Sequence, residues 1–81
     1  MKYTIETLAN KITGKFNFEA NGFKLNDSEI VFDDRICFVS GILENGEATL
    51  YDVVHSLENE ETFEMNTTEL LLLENLINQQ L

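Results

Sequence analysis

This 81-residue sequence predicts one α+β domain: a helix, an antiparallel meander of four or five strands, and a second helix, packed in two layers. Three observations predict it. Apolar residues recur at helical spacing near both ends of the chain. Two Asn-Gly pairs, Asn21-Gly22 and Asn45-Gly46, sit between stretches that alternate apolar and polar residues. That alternation gives the sheet one apolar face, which the two helices are placed to cover. A chain of this length buries roughly 60–70% of its unfolded surface, enough for one modest core, so residues 1–81 are read as a single domain.

The first helix is expected over residues 4–13. Met1, Ile5, Leu8, Ala9 and Ile12 fall on one stripe, Thr4 is a suitable N-cap and Gly14 a stop signal, although residues 2–6 also fit the start of a strand. In "KFNFEANGFKLND", Asn21-Gly22 suits a type I′ turn because both positions need φ > 0. Folding about it sets Ala20 opposite Phe23, Phe18 opposite Leu25, and Glu19 opposite Lys24. Strands at about 29–32 and 35–43 follow, interrupted at Asp33-Asp34.

The second Asn-Gly pair predicts a hairpin in which Leu43 faces Ala48, Ile42 faces Thr49 and Glu44 faces Glu47. Residues 48–57 fit two patterns. Leu50, Val53, Val54 and Leu57 match a helical stripe, while Thr49, Tyr51, Val53, His55 and Leu57 match strand alternation. Their β-branched and aromatic content, directly after a hairpin turn, favours the strand. "ENEE" is then a turn and "TFEM" a short strand, with Phe63 and Met65 inward and Glu64 outward. Asn66 caps the last helix, with Glu69 three residues on. Leu70, Leu72, Leu73, Leu76, Ile77 and Leu81 cover about half of its circumference, and Leu71 alone lies off that face.

Composition narrows the function classes. Apolar residues make up 43% of the chain, which argues against intrinsic disorder, and no apolar run approaches the length of a membrane span. "MKYTIETLANKI" lacks the apolar core of a secretory leader, and the single cysteine, Cys37, has no partner for an internal disulfide. A cytoplasmic location is expected. The net charge of −10 is unevenly spread. Residues 1–35 hold six acids and all five bases, while residues 36–81 hold nine acids and no lysine or arginine. Such a field repels phosphate backbones and anionic membranes, so neither direct nucleic-acid binding nor membrane binding is expected.

The inventory for catalysis is thin. His55 is the sole histidine. On a strand Asp52 lies on the opposite face from it, so His55 is read as a partly exposed structural residue. Cys37, within "RICFVSG", reads as a core residue, and with one distant histidine it makes no zinc site. The carboxylates at 26–29 and 33–34 fail the EF-hand pattern and read as solvated turns. No phosphate-binding glycine motif is present. Neither a cofactor nor a bound metal is expected, and the chain is read as a non-enzymatic module.

What remains is the acidic run before the last helix. Glu58, Glu60, Glu61 and Glu64, held on a strand-turn-strand unit, would form a carboxylate array able to imitate a nucleic-acid backbone and occupy the basic surface of a nucleic-acid-binding protein. The competing reading is a small structural or homodimerising domain whose acidic surface serves solubility and guards the sheet edge. In that reading Leu71 and Leu72 are the candidate dimer or docking contact. In general character, small, acidic and without catalytic groups, the chain resembles accessory proteins of phages and mobile elements, some of which inhibit nucleases. No motif carries that resemblance and no residue role follows from it.

Overall fold

A computed structural model describes residues 2–17, 19 and 22–81. The described residues form α1 (Ile5–Lys15), β1 (Phe23–Val31), β2 (Arg35–Glu44), β3 (Glu47–Leu57), β4 (Thr62–Glu64) and α2 (Thr67–Gln80). The four strands make one antiparallel sheet in the order β1-β2-β3-β4, flanked by a helix at each end of the chain. This is the predicted α+β architecture with four strands.

Local chemistry explains the helix starts. Thr4 accepts from the Thr7 amide, and the Thr7 hydroxyl accepts from the Thr4 amide at 2.8 Å, a reciprocal box that satisfies two otherwise orphaned donors. Asn66 accepts from the Glu69 amide at 2.8 Å and donates its side-chain amide to the Glu69 carboxylate. One boundary differs from expectation. Gly14 does not stop α1, which continues to Lys15 and ends at Phe16. Gly14 keeps an ordinary negative φ, so it acts as an exposed interior helix residue rather than a left-handed cap.

The sheet corrects two other readings. Met1, Phe18, Ala20 and Asn21 lie outside the described residues, so the Phe18 and Ala20 pairings and the place of Met1 on the α1 stripe do too. No strand precedes Phe23 among the described residues. Residues 23–25 pair with Leu43, Ile42 and Gly41 of β2. They join the segment predicted at 29–32 in one nine-residue strand. The stretch 26–29 is therefore no free turn but a bulge within β1, where Asp27 takes φ 48° and its amide donates to the Ser40 hydroxyl.

The second hairpin forms as predicted, with Leu43, Ile42 and Glu44 facing Ala48, Thr49 and Glu47. Asn45 and Gly46 take φ 52° and 75°, as a type I′ turn requires. Residues 48–57 are strand throughout. The pairing then slips by one residue between Ser40 and Gly41, where Gly41 faces Leu50 and Ser40 faces Asp52. Tyr51 is the extra residue. Ala48 and Leu50 point inward before it, Val53 and His55 after it, which is why this stretch mimics helical spacing.

The core lies between the inner sheet face and the helices, around Leu8, Ile12, Val39, Val53, Leu73 and Ile77. The α2 stripe is narrower than predicted. Leu73 and Ile77 are buried and Leu70 and Leu76 half-buried, whereas Leu71, Leu72 and Leu81 are exposed. The helix is turned so that two polar residues reach the edge of β3 beyond the end of β4. The Asn78 side chain accepts from the Ala48 amide at 2.8 Å and donates to its carbonyl at 3.0 Å, as a neighbouring strand would. Glu74 accepts from the Leu50 amide at 3.0 Å. One of the nine acids after residue 35 thus serves the fold, because an unpaired, part-buried backbone group costs about 1–3 kcal/mol.

Candidate functional site: the acidic end and the open sheet face

In an up-and-down meander, alternate turns lie at the same end of the sheet. The β1–β2 turn carries Asp33 and Asp34, and the β3–β4 turn carries Glu58, Glu60 and Glu61, so five acids gather at one end. Arg35 pairs with Leu57, so Asp34 and Glu58 each lie one residue beyond a paired position, in neighbouring turns. The β3–β4 turn is closed by bonds from the Glu60 amide to the Leu57 carbonyl and from the Leu57 amide to the Glu61 carbonyl, with Glu60 at φ 67°. Glu58, Glu60, Glu61 and Glu64 are all exposed, as the sequence indicated. Glu64, paired with Val54, points away from the helices.

Arg35 is the base nearest this end by sequence, and it is engaged. Its guanidinium binds the Asp34 carboxylate at 3.0 Å and lies 4.1 Å from the centre of the Tyr3 ring. The hydrogen bond from Arg35 holds the Asp34 carboxyl below its usual value. Between the two turns runs a cleft of about 240 Å³, lined by Val31, Ile36, Ser56, Leu57, Glu58 and their neighbours.

The outer sheet face, which neither helix covers, adjoins this end. One row across the four strands reads Glu29, Phe38, Val54, Glu64, and the next reads Val31, Ile36, Ser56, Thr62. Val31 is 61% exposed, and Ile36, Phe38 and Val54 are half-buried. Reasoning from sequence missed this face and left Asp33, Asp34 and Glu29 out of the acidic surface. The signal was present in "ICFV", an unbroken apolar run in a strand that should alternate if only one of its faces is covered. Asp52 also points outward, with its Oδ1 shielded from solvent and without a hydrogen-bond partner.

On the inner face the register brings together two residues that seemed distant. A row runs Ile30, Cys37, His55, Phe63, and Cys37 Sγ lies 3.4 Å from His55 Nδ1. Arg35 Nη1 approaches the same nitrogen at 3.5 Å. Arginine can only donate, so Nδ1 is the acceptor and the imidazole proton sits on Nε2. His55 is 2% exposed, not partly exposed as expected, with Tyr3 edge-on at 5.2 Å and Phe63 stacked at 4.7 Å. Phe63 reaches inward but stays 45% exposed at the sheet edge, whereas Met65 is buried as predicted. Burial pushes the Cys37 thiol up to about 11, so at neutral pH the pair is a thiol beside a neutral imidazole. Both side chains are buried, Cys37 with no exposed surface and within the hydrophobic core.

His55 gives the fold a pH dependence. Burial, then the Arg35 charge, holds its pKa below the ordinary 6.5. Below that pH the unfolded chain binds a proton that the folded chain resists. The stability associated with His55 is complete above pH 6.5 and is lost as pH falls toward the depressed folded value. A fall in melting temperature as pH drops below about 6.5 is expected, and His55→Leu should flatten it. An equal slope in that variant would place the titration elsewhere.

Among the described residues, no group of three or more histidine, cysteine, aspartate or glutamate side chains is placed to hold a metal ion, and no helix is long and apolar enough to cross a membrane. Comparison with protein families, with curated proteins and with solved structures finds no match for this chain.

Proposed function

We propose that this protein is a non-enzymatic, cytoplasmic binding module whose acidic sheet end occupies the basic, nucleic-acid-binding surface of a partner protein. The observation that supports this reading is the convergence of Asp33 and Asp34 with Glu58, Glu60 and Glu61 from two separate turns, continued by Glu64 on the outer face. Two turns at one end of a single sheet hold these carboxylates as a concentrated negative field of the sign a nucleic-acid backbone presents. Attraction of this kind speeds encounter and weakens with salt.

The test is competition. A DNA-binding protein captured from the host lysate by the wild type should release a labelled duplex when the wild type is added at low salt. The fourfold variant Glu58→Lys, Glu60→Lys, Glu61→Lys, Glu64→Lys should fail to displace it. Equal displacement by the variant would remove these residues from the site.

Exposure of Leu71 and Leu72, at 55% and 50%, favours a second reading, a homodimer through α2. That reading expects Leu71→Glu to halve the mass seen by light scattering without unfolding the chain, and an unchanged mass would exclude Leu71 from the contact.

A further inference from the structure

We infer that the open sheet face is the seat of a cationic amphipathic helix belonging to the partner, which supplies the missing third layer of the fold. This rests on the reading of the acidic end as the site of a basic partner and names the part of that partner that docks. Antiparallel strands with one solvated face alternate cleanly, but β2 carries Ile36 and Phe38 outward as well as Cys37 and Val39 inward. With Val31 and Val54 they make a contiguous apolar patch two rows deep. The chain's own helices both serve the inner face.

Charge selects the occupant. Glu29 on β1 and Glu64 on β4 close the Phe38–Val54 row on its two sides, and Glu58 stands at its acidic end. Among the described residues Lys24 is the one base that the register puts on this face, at the far end beside Ile42. A second copy of the chain, itself at −10, would bring like charges together around the patch.

Size selects a helix. Glu29 and Glu64 stand three strand spacings apart, about 14 Å. An α-helix with its side chains is about 10–12 Å across and fits between them along the strands. Its apolar stripe would lie on Val31, Ile36, Phe38 and Val54. Lysines or arginines on its flanks would reach Glu29 and Glu64, and those at one end would reach Asp34 and Glu58.

The experiment titrates the ¹⁵N-labelled full chain with two leucine-lysine peptides of about 18 residues. One has leucines at i, i+3, i+4 and i+7, and the other is a scramble of the same composition. The amphipathic peptide should move the amide signals of Ile36, Phe38 and Val54 and bind at least about tenfold more tightly than the scramble. Val31→Lys, at an exposed position, should remove that advantage. Equal affinity of the two peptides, with shifts confined to residues 33–34 and 58–61, would overturn the docking face while leaving the acidic end as a basic-partner site. Failure of both peptides to bind at low salt would overturn both. A doubled mass that Val31→Lys abolishes would show a second copy on the face and overturn the choice of occupant.

Discussion

Replacing Leu73 with alanine is expected to cost about 2–5 kcal/mol, the range for truncating a fully buried leucine. Leu73 has no exposed surface and lies at the centre of the α2 face that meets the sheet. A chain of this length holds only about 4–12 kcal/mol in total, so the variant should be substantially less folded at ambient temperature. Leu72→Ala, one residue earlier and 50% exposed, should change stability by no more than about 0.5 kcal/mol. The contrast separates burial from composition, since both changes delete the same atoms from one helix. Urea midpoints for the two variants measure it. Similar losses would mean that α2 is rotated on the sheet relative to the orientation that Asn78 and Glu74 fix at Ala48 and Leu50.

Gly41→Val is expected to be the most damaging change in the strands. A Cβ at this position would stand 2.6 Å from the Thr49 carbonyl oxygen and 3.3 Å from the Leu50 Cα, so backbone rather than a flexible side chain blocks it. Overpacking of a core costs about 1–3 kcal/mol, and this site belongs at the upper end because β3 itself must move. Even Gly41→Ala should be destabilising. Gly14→Ala in α1, where nothing lies within 4 Å, should have the opposite sign and stabilise by about 0.5–1 kcal/mol. Denaturation midpoints decide both signs, and a neutral Gly41→Ala would show that β2 and β3 do not meet so closely. The larger variant should also move His55 relative to Cys37, because the slip at Gly41 sets their pairing.

That slip marks how far the sequence could be read. Asn45-Gly46 specifies a two-residue turn, and a two-residue turn dictates every opposing pair in the hairpin up to its first irregularity. Leu43 with Ala48 and Ile42 with Thr49 follow from it directly. Continued without the extra residue, the same register would set Cys37 opposite Val54. The observed pair is Cys37 with His55, and the buried thiol-imidazole contact exists only because Tyr51 is the extra residue. A trace of this was visible, since apolar positions on β3 change from even to odd numbers after Leu50. The same change made the stretch look half helical.

The candidate surface was legible in a similar, partial way. Glu58, Glu60, Glu61 and Glu64 stood out because they are neighbours in the chain. Asp33 and Asp34 join them only through the parity of the meander, and Glu29 faces Glu64 only across four strands.

Local signals in the chain were enough for the class of the fold, both helix caps, the second hairpin with its register, and the acidity of the last 46 residues. Each depends on interactions within a few residues: a cap, a turn needing positive φ, a stripe at one period. Tertiary structure alone decided which face of α2 is buried, where β3 slips, which acids share one end of the sheet, and that Ile36 and Phe38 lie on a face no part of the described chain covers. These depend on contacts between segments far apart in the chain, where a single close backbone approach at Gly41, or two side chains reaching a strand edge, outweighs local preference.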